Sequence, residues 1–110
     1  MFSSTVLVAR LGSDPELKKT KKGDFVCNLS VATSGKWLTK DGKEEEKTTW
    51  HKVVAWNKLA ELCSSYLKKG RLILIEGEIV NKTWSDEDGV NHTVNEIKAR
   101  KILFLDSKNK

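Results

Sequence analysis

Apolar and polar positions alternate with a period of two along most of the chain. Thr5 to Leu11 sets Val6 and Val8 against Leu7 and Ala9 and stops at Gly12, which reads as a first strand. From Asp24 to Thr33, Phe25, Cys27, Leu29 and Val31 take one face while Asn28, Ser30 and Ala32 take the other, a second strand with Trp37 at or just past its end. Between Thr48 and Trp56, Trp50, Lys52, Val54 and Trp56 share one side, and His51, Val53 and Ala55 share the opposite one. Arg71 to Val80 is a fourth strand, with Ile73, Ile75, Gly77 and Ile79 on one face and Gly77 marking a bulge or sharp bend. The last strand runs from Glu96 to Leu105. Ile97, Ala99, Leu103 and Leu105 keep one phase there, yet Ile102 and Phe104 are apolar too. That end is either buried on both faces or part of a subunit contact.

One stretch breaks the period. Leu59, Leu62, Cys63, Tyr66 and Leu67 follow the spacing of a buried helical stripe, with Asn57 as its N-cap and Gly70 as its left-handed stop. Glu61 near one end and Lys68 and Lys69 near the other suit the helix dipole. Turn chemistry supplies the connections. Ser13-Asp14-Pro15-Glu16 is a turn, Lys40-Asp41-Gly42-Lys43 closes one hairpin, and Asp88-Gly89 closes a second.

The order is strand, strand, strand, helix, strand, strand, with long hairpins after the second and fourth strands. A helix between strands three and four of a five-stranded set is the arrangement of the OB-fold, a partly open Greek-key barrel. The fold class is therefore all-β with one short helix, as one domain over residues 1–106, followed by a short basic end at 107–110. In that fold the binding face lies on strands two and three, flanked by the loops between strands one and two and between four and five. The basic run Lys18, Lys19, Lys21 and Lys22, the central tryptophans and Trp84 fall on those elements.

Composition narrows the partner. The 110 residues carry a formal net charge of +5, which favours a polyanion. Cys27 and Cys63 lie in apolar surroundings and read as reduced core thiols; no cysteine–histidine spacing suggests a metal site. There is no secretory signal pattern and no apolar run long enough to span a membrane. No nucleophile–base pair or glycine-rich phosphate loop is present, so no catalytic residue and no cofactor is expected. Asp86, Glu87 and Asp88 read as a turn, and His92 as solvated.

Four of the eight aromatic residues are tryptophan, and each has a lysine within two positions: Lys36, Lys52, Lys58 and Lys82. Placement matters more than that count. Lys52 stands between Trp50 and Trp56, and an unpaired amine is rarely buried, so this strand face is wet. Trp37 and Trp84 sit in polar hairpins, where tryptophan has no routine structural role. Any one ring could be packing; the four together favour stacking on bases while lysines follow the phosphates.

These residues resemble the bacterial and mitochondrial type of single-stranded DNA-binding protein. The motifs are LVARLGSDPEL, FVCNLSVATSGKW, TTWHKVVAWNKLAELCSSYLKKG, LIEGEI and TWSDEDGVNHTVNEI, in the family's order and spacing across nearly the whole chain. The resemblance implies base stacking by Trp37, Trp50, Trp56 and Trp84. It implies phosphate contact by Arg10, Lys18, Lys52, Lys58, Lys69 and Lys82, and a subunit interface at His51, which the apolar last strand extends to Ile102 and Phe104. It further implies a homotetramer wrapped by single-stranded DNA, acting in replication, repair or recombination, in the bacterial cytoplasm at the nucleoid or in an organellar matrix. Two departures stand out. Val80 and Thr83 replace basic residues common beside the Trp84 position. The sequence stops at Ser107-Lys108-Asn109-Lys110, where the main replicative members carry a disordered linker and an acidic tip, through truncation or as a tail-less form. Tail-mediated recruitment of other proteins is thereby put in doubt.

Two other readings compete. A primosome-like OB-fold accessory protein acting by protein contacts would need no set of four tryptophans. An RNA-binding OB domain would bind RNA comparably, since rings and lysines serve both polymers.

Overall fold

A computed structural model describes residues 1–106; the predicted basic end at 107–110 lies outside the described residues. The elements are β1 (Thr5–Leu11), β2 (Glu16–Lys19), β3 (Phe25–Leu38), β4 (Glu44–Trp56), α1 (Asn57–Tyr66), β5 (Leu72–Ser85) and β6 (Asn91–Phe104). The sheet order is β1-β5-β6-β4-β3-β2, and a β1–β3 pairing closes the ring. All neighbours are antiparallel except β4 and β6, which run parallel through Val53↔Ile97 and Val54↔Lys98. Five strands thus form a closed barrel with α1 between its third and fourth members, as the strand order predicts.

The sixth strand is β2, an edge ribbon. The basic run Lys18 to Lys22, expected as a loop beside a turn, is in part a strand: Glu16–Lys19 pairs with Phe25–Asn28. Thr20 makes this possible. Its N–H donates to the Asp24 carbonyl, and its hydroxyl and carbonyl accept from Asp24 and Gly23. Gly23 at φ +94° completes the turn.

Alternation fills the barrel. Ala9, Leu11, Cys27, Leu29, Val31, Val53, Ala55, Ile73 and Ile75 are buried in one core cluster with Ala60, Cys63 and Leu67 of the helix segment. Both thiols are free and buried. Burial, and then the neighbouring Cys27, push the Cys63 thiol up to about 12, so it stays protonated and inert at neutral pH.

α1 departs from its predicted ends. Asn57 does not cap the helix; it takes φ +53° and its Oδ1 accepts from the Phe25 N–H at 3.3 Å. The chain must turn sharply from β4 into α1, and asparagine tolerates that left-handed geometry. The helix stops at Tyr66, not near Gly70. Leu67 turns extended to bury itself while its N–H still reaches the Cys63 carbonyl. Gly70, at φ +91°, instead shapes the turn into β5, so Lys68 and Lys69 lie beyond the last helical turn. The buried stripe is Ala60, Cys63 and Leu67 with Leu59 beside it. Leu62 and Tyr66 face outward, where Tyr66 meets Phe104 with ring centroids 6.4 Å apart.

A bulge resolves the two apolar phases of the last strand. Gly77 faces Ala99 while Glu76 faces Lys101, so Arg100 is an extra residue in β6. Ile97 and Ala99 point inward before it and Ile102 after it; Leu103 and Leu105 are exposed. The predicted single phase is broken by that insertion. Ile79, expected to share the inward face, is also exposed, because β1 begins only at Thr5, opposite Gly77, and does not extend over it. Arg100 reaches back to the Gly77 carbonyl at 3.4 Å. Asp106 fastens the end of β6 to β5, accepting from the Leu72 N–H at 3.1 Å and from Arg71 at 2.8 Å.

The hairpins run past the barrel. The β3–β4 ladder is unbroken from Val26↔Trp56 to Leu38↔Glu44, and β5–β6 pairs out to Ser85↔Asn91. The radius of gyration is accordingly 16.3 Å, above the ~13 Å of a compact chain of this length.

A side chain at position 77 cannot be accommodated where β5 and β6 cross. A Cβ on Gly77 would collide with the Lys98 carbonyl oxygen, and the Lys98 backbone cannot swing away as a side chain could. Gly77→Ala should therefore lower stability by about 1–3 kcal/mol, the usual cost of overpacking. A thermal melt equal to that of the wild type would refute the crossing.

Candidate nucleic-acid interface

The outward phase of three neighbouring strands forms one surface. β4 contributes Trp50, Lys52, Val54 and Trp56, β6 contributes His92, Val94, Glu96 and Lys98, and β5 contributes Val80, Lys82 and Trp84. The rings stand out from it: Trp50 is 61% exposed, Trp84 52% and Trp56 36%. Val54, between the two β4 rings, is covered by its neighbours. The ladder also sets Lys18, Val26 and Trp56 in one row across β2, β3 and β4, so the edge ribbon extends the same face.

Three clefts mark this surface. Trp50 and Lys52 border one of about 400 Å³ with Ser13, Asp14, Asn28 and Ser30. They also border one of about 290 Å³ with Ile79, Asn95 and Glu96. Trp56 borders a third, of about 220 Å³, with Val80, Lys82, Glu96 and Lys98. Room for the Trp50 ring depends on Gly12, where an added Cβ would run into its benzo edge. The Gly12 N–H is tied to the Ser30 carbonyl at 2.8 Å, which holds that backbone under the ring.

Trp84 is held by the β5–β6 hairpin. His92, directly across the ladder, stacks on it with centroids 4.3 Å apart and planes at 21°. His92 Nε2 lies 2.8 Å from Asp86 Oδ2, and Asp86 Oδ1 accepts from the Asp88 and Val90 N–H groups. The His92 bond, followed by the one from Val90, holds the Asp86 carboxyl below its ordinary value. Asp86 therefore organises the turn, as its place in a turn predicts, and His92 is partnered rather than merely solvated. Among the described residues no cluster of His, Cys, Asp and Glu could hold a metal ion, and no helix is long and apolar enough to cross a membrane.

Glu96 is the buried charged residue of this face, 5% exposed. Its Oε2 lies 2.8 Å from Lys52 Nζ and its Oε1 3.4 Å from Lys82 Nζ. Burial pushes its carboxyl up, but hydrogen bonds and attraction from Lys52 and then Lys82 outweigh that and hold it below its ordinary value.

Other expected residues fall elsewhere. Trp37, 49% exposed, continues the phase of Leu29 and Val31, so it stands on the opposite side of the β3–β4 ribbon from Trp50. Arg10 donates to the Gly70 carbonyl at 3.0 Å. Lys58 lies on α1 and Lys69 in the turn after it, where the Lys69 N–H donates to Asp14. His51 Nε2 is 3.0 Å from Thr33 Oγ1. Ile102, expected at a subunit surface, is in the core, because the bulge turns it inward; Phe104 remains partly exposed. Sequence reasoning passed over Glu96 and Lys98. The alternation of β6 against Ile97 and Ala99 was the available signal for both.

The direction of the Glu96 shift fixes a pH effect. A carboxyl depressed in the folded state adds stability above its unfolded pKa of about 4.3, and that stability is lost as pH falls through the folded value. Asp86 and Asp106 shift the same way, so Glu96 supplies a part of the acid limb. Wild type should lose melting temperature more steeply than Glu96→Gln below about pH 4; superimposable acid limbs would refute the ion-pair geometry.

Comparison with known proteins identifies the family. The sequence model described as "Single-strand binding protein family" matches residues 2–105. A "Single-stranded DNA-binding protein" from Neisseria meningitidis serogroup A is 39% identical over 108 residues, which is 98% of this chain and 62% of that protein. "Single-stranded DNA-binding protein 1" of Chlorobaculum tepidum is 40% identical over 105 residues, 96% of this chain and 62% of that one. The chain thus spans 62% of the length of these curated relatives. A solved chain described as "Plasmodium falciparum SSB complex with ssDNA" superposes with a TM-score of 0.89 at 28% identity, covering 96% of each chain. A deletion mutant of the single-stranded DNA binding protein from Thermus aquaticus shares the fold, with a TM-score of 0.82 at 24% identity over 94% of this chain and 50% of that one. With its profile matched almost from end to end and its barrel superposed on these structures, the chain belongs to the single-strand binding protein family.

Proposed function

We propose that this chain binds single-stranded DNA without reading its sequence, and protects transient single strands during replication, repair or recombination. The observation that carries this reading is the shared face of Trp50, Trp56 and Trp84 with Lys18, Lys52, Lys82 and Lys98. Exposed rings offer π-faces that any base can stack on, and ammonium groups between them sit at the height of a backbone following the stack. The role is binding rather than catalysis, and the family relation supports a cytoplasmic or organellar setting. Trp37 contributes from the far side of its hairpin, as a strand wrapping over the ribbon would require. Arg10, Lys58 and Lys69 act as phosphate contacts on the outer path of that strand.

The assembly is read as a homotetramer. Val6 and Val8 on β1, Ile79 on β5 and Leu103 to Leu105 at the end of β6 are exposed apolar positions. A closed barrel has no further core of its own to offer them, and closed symmetric assemblies are the usual way such surfaces are covered. His51 and Phe104 belong to this proposed interface, and Leu103 takes the share first given to Ile102. Micromolar protein should scatter light as four chains; a monomeric mass would refute the assembly.

Tryptophan fluorescence titrated with single-stranded DNA, duplex DNA and RNA tests the function. The single DNA strand should bind most tightly. Equal affinity for RNA would return the RNA-binding reading, and no binding would favour the accessory-protein one. Trp50→Ala, Trp56→Ala and Trp84→Ala should each cost about 1–3 kcal/mol of strand affinity, the worth of one base–aromatic stack. Their melting temperatures should stay close to wild type. A loss of about 3–5 kcal/mol in stability would instead mark a ring as core.

A further inference from the structure

We propose that Glu96 is an internal counter-ion that competes with the DNA backbone for Lys52 and Lys82, and so limits the strength and salt response of strand binding. This inference rests on the single-strand reading above and assigns a residue that weakens the same site.

Among the described residues Glu96 is the one buried charged side chain, and it lies in the middle of the wet face. β6 carries it between β4 and β5, so each carboxylate oxygen meets a lysine from a different strand, at 2.8 and 3.4 Å. It borders the cleft beside Trp50 and the cleft beside Trp56. Its position thus coincides with where a phosphate between two stacked bases would seek its cations.

Stability alone does not require a charge here. A buried carboxylate loses its hydration, and an apolar pair of similar volume is commonly as stable or more so. The two lysine side chains remain about half exposed, so their ammonium groups are open to an incoming phosphate. Carboxylate and phosphate are both oxyanions and compete for the same donors. Two cations sharing one internal anion present the strand with one net charge instead of two. Lys98, on the same face, stands opposite Glu78 across the ladder but makes no ion pair among the described residues, so the direct pairing falls on Lys52 and Lys82.

Glu96→Gln keeps the shape and removes the charge. Titrated with oligothymidylate, it should bind more tightly than wild type, with a log affinity against log salt slope steeper by about 0.7, the value of one neutralised phosphate on a single strand. Between 50 and 200 mM salt its advantage over wild type should therefore shrink roughly 2.6-fold. Lys82→Met should flatten the wild-type slope by about 0.7, and adding Glu96→Gln to it should restore the wild-type slope. If the glutamine variant does not fold, Lys82→Met/Glu96→Met replaces the ion pair by an apolar one and carries the same expectation of a wild-type slope. A folded Glu96→Gln with wild-type or weaker affinity and an unchanged slope overturns the inference, as does a double variant no steeper than Lys82→Met alone. A wild-type chain that binds no strand overturns the functional reading and this inference together.

Discussion

The close crossing of β5 and β6 at Gly77 governs how the barrel and its outer surface fit together. Only hydrogen fits between Gly77 and the Lys98 carbonyl, and the extra residue Arg100 beside it reverses the phase of β6. Before the crossing, β6 sends Ile97 and Ala99 inward and Glu96 and Lys98 outward. After it, Ile102 takes over the core. A strand in strict alternation could not do both. Without the insertion, either the barrel would lose Ile102 or the outer face would lose its carboxylate and lysine to the interior.

That arrangement joins packing to electrostatics. The parallel contact of β4 with β6 is short, confined to Val53↔Ile97 and Val54↔Lys98. Yet it is what brings Lys52 of one strand against Glu96 of the other. β5 adds Lys82 from the opposite side, so three strands meet at one carboxylate. The core that these strands enclose is filled by small and branched apolar residues, with the thiols of Cys27 on β3 and Cys63 on α1 buried among them. Within the barrel, charge on these strands stays on the outer phase, where a polyanion could meet it.

Much of this was legible because strand chemistry is local. Lys52 between Trp50 and Trp56 identified the wet side of β4 before any pairing was known, and Asp41-Gly42 and Asp88-Gly89 located both hairpin tips. What stayed hidden depended on partners distant in sequence. Asn57 reads as a helix cap, but its oxygen goes to Phe25, thirty-two positions away. Ile102 and Leu103 exchange inside and outside because of a mismatch of one residue across two strands, which neither strand declares alone. Ile79 reads as core until β1 is seen to begin only opposite Gly77. Trp37 and Trp50 look equivalent in composition, and only the unbroken β3–β4 register sets them on opposite sides of the ribbon. Glu96 is one acid among fifteen and attracts no notice until its two lysines are found.

The stack of His92 on Trp84 gives the hairpin tip a direction. One face of the indole is already taken by the imidazole, and Asp86 keeps that imidazole in place. In the proposed complex a nucleobase would join from the open side, which would make Trp84 a bookend rather than a wedge. A wedge would sit between consecutive bases and have to be unthreaded before the strand could move. A bookend closes a run of bases at one end and lets the run be lifted away whole. At this ring, a bound strand could be handed on by peeling, with no base stack to reopen around the protein.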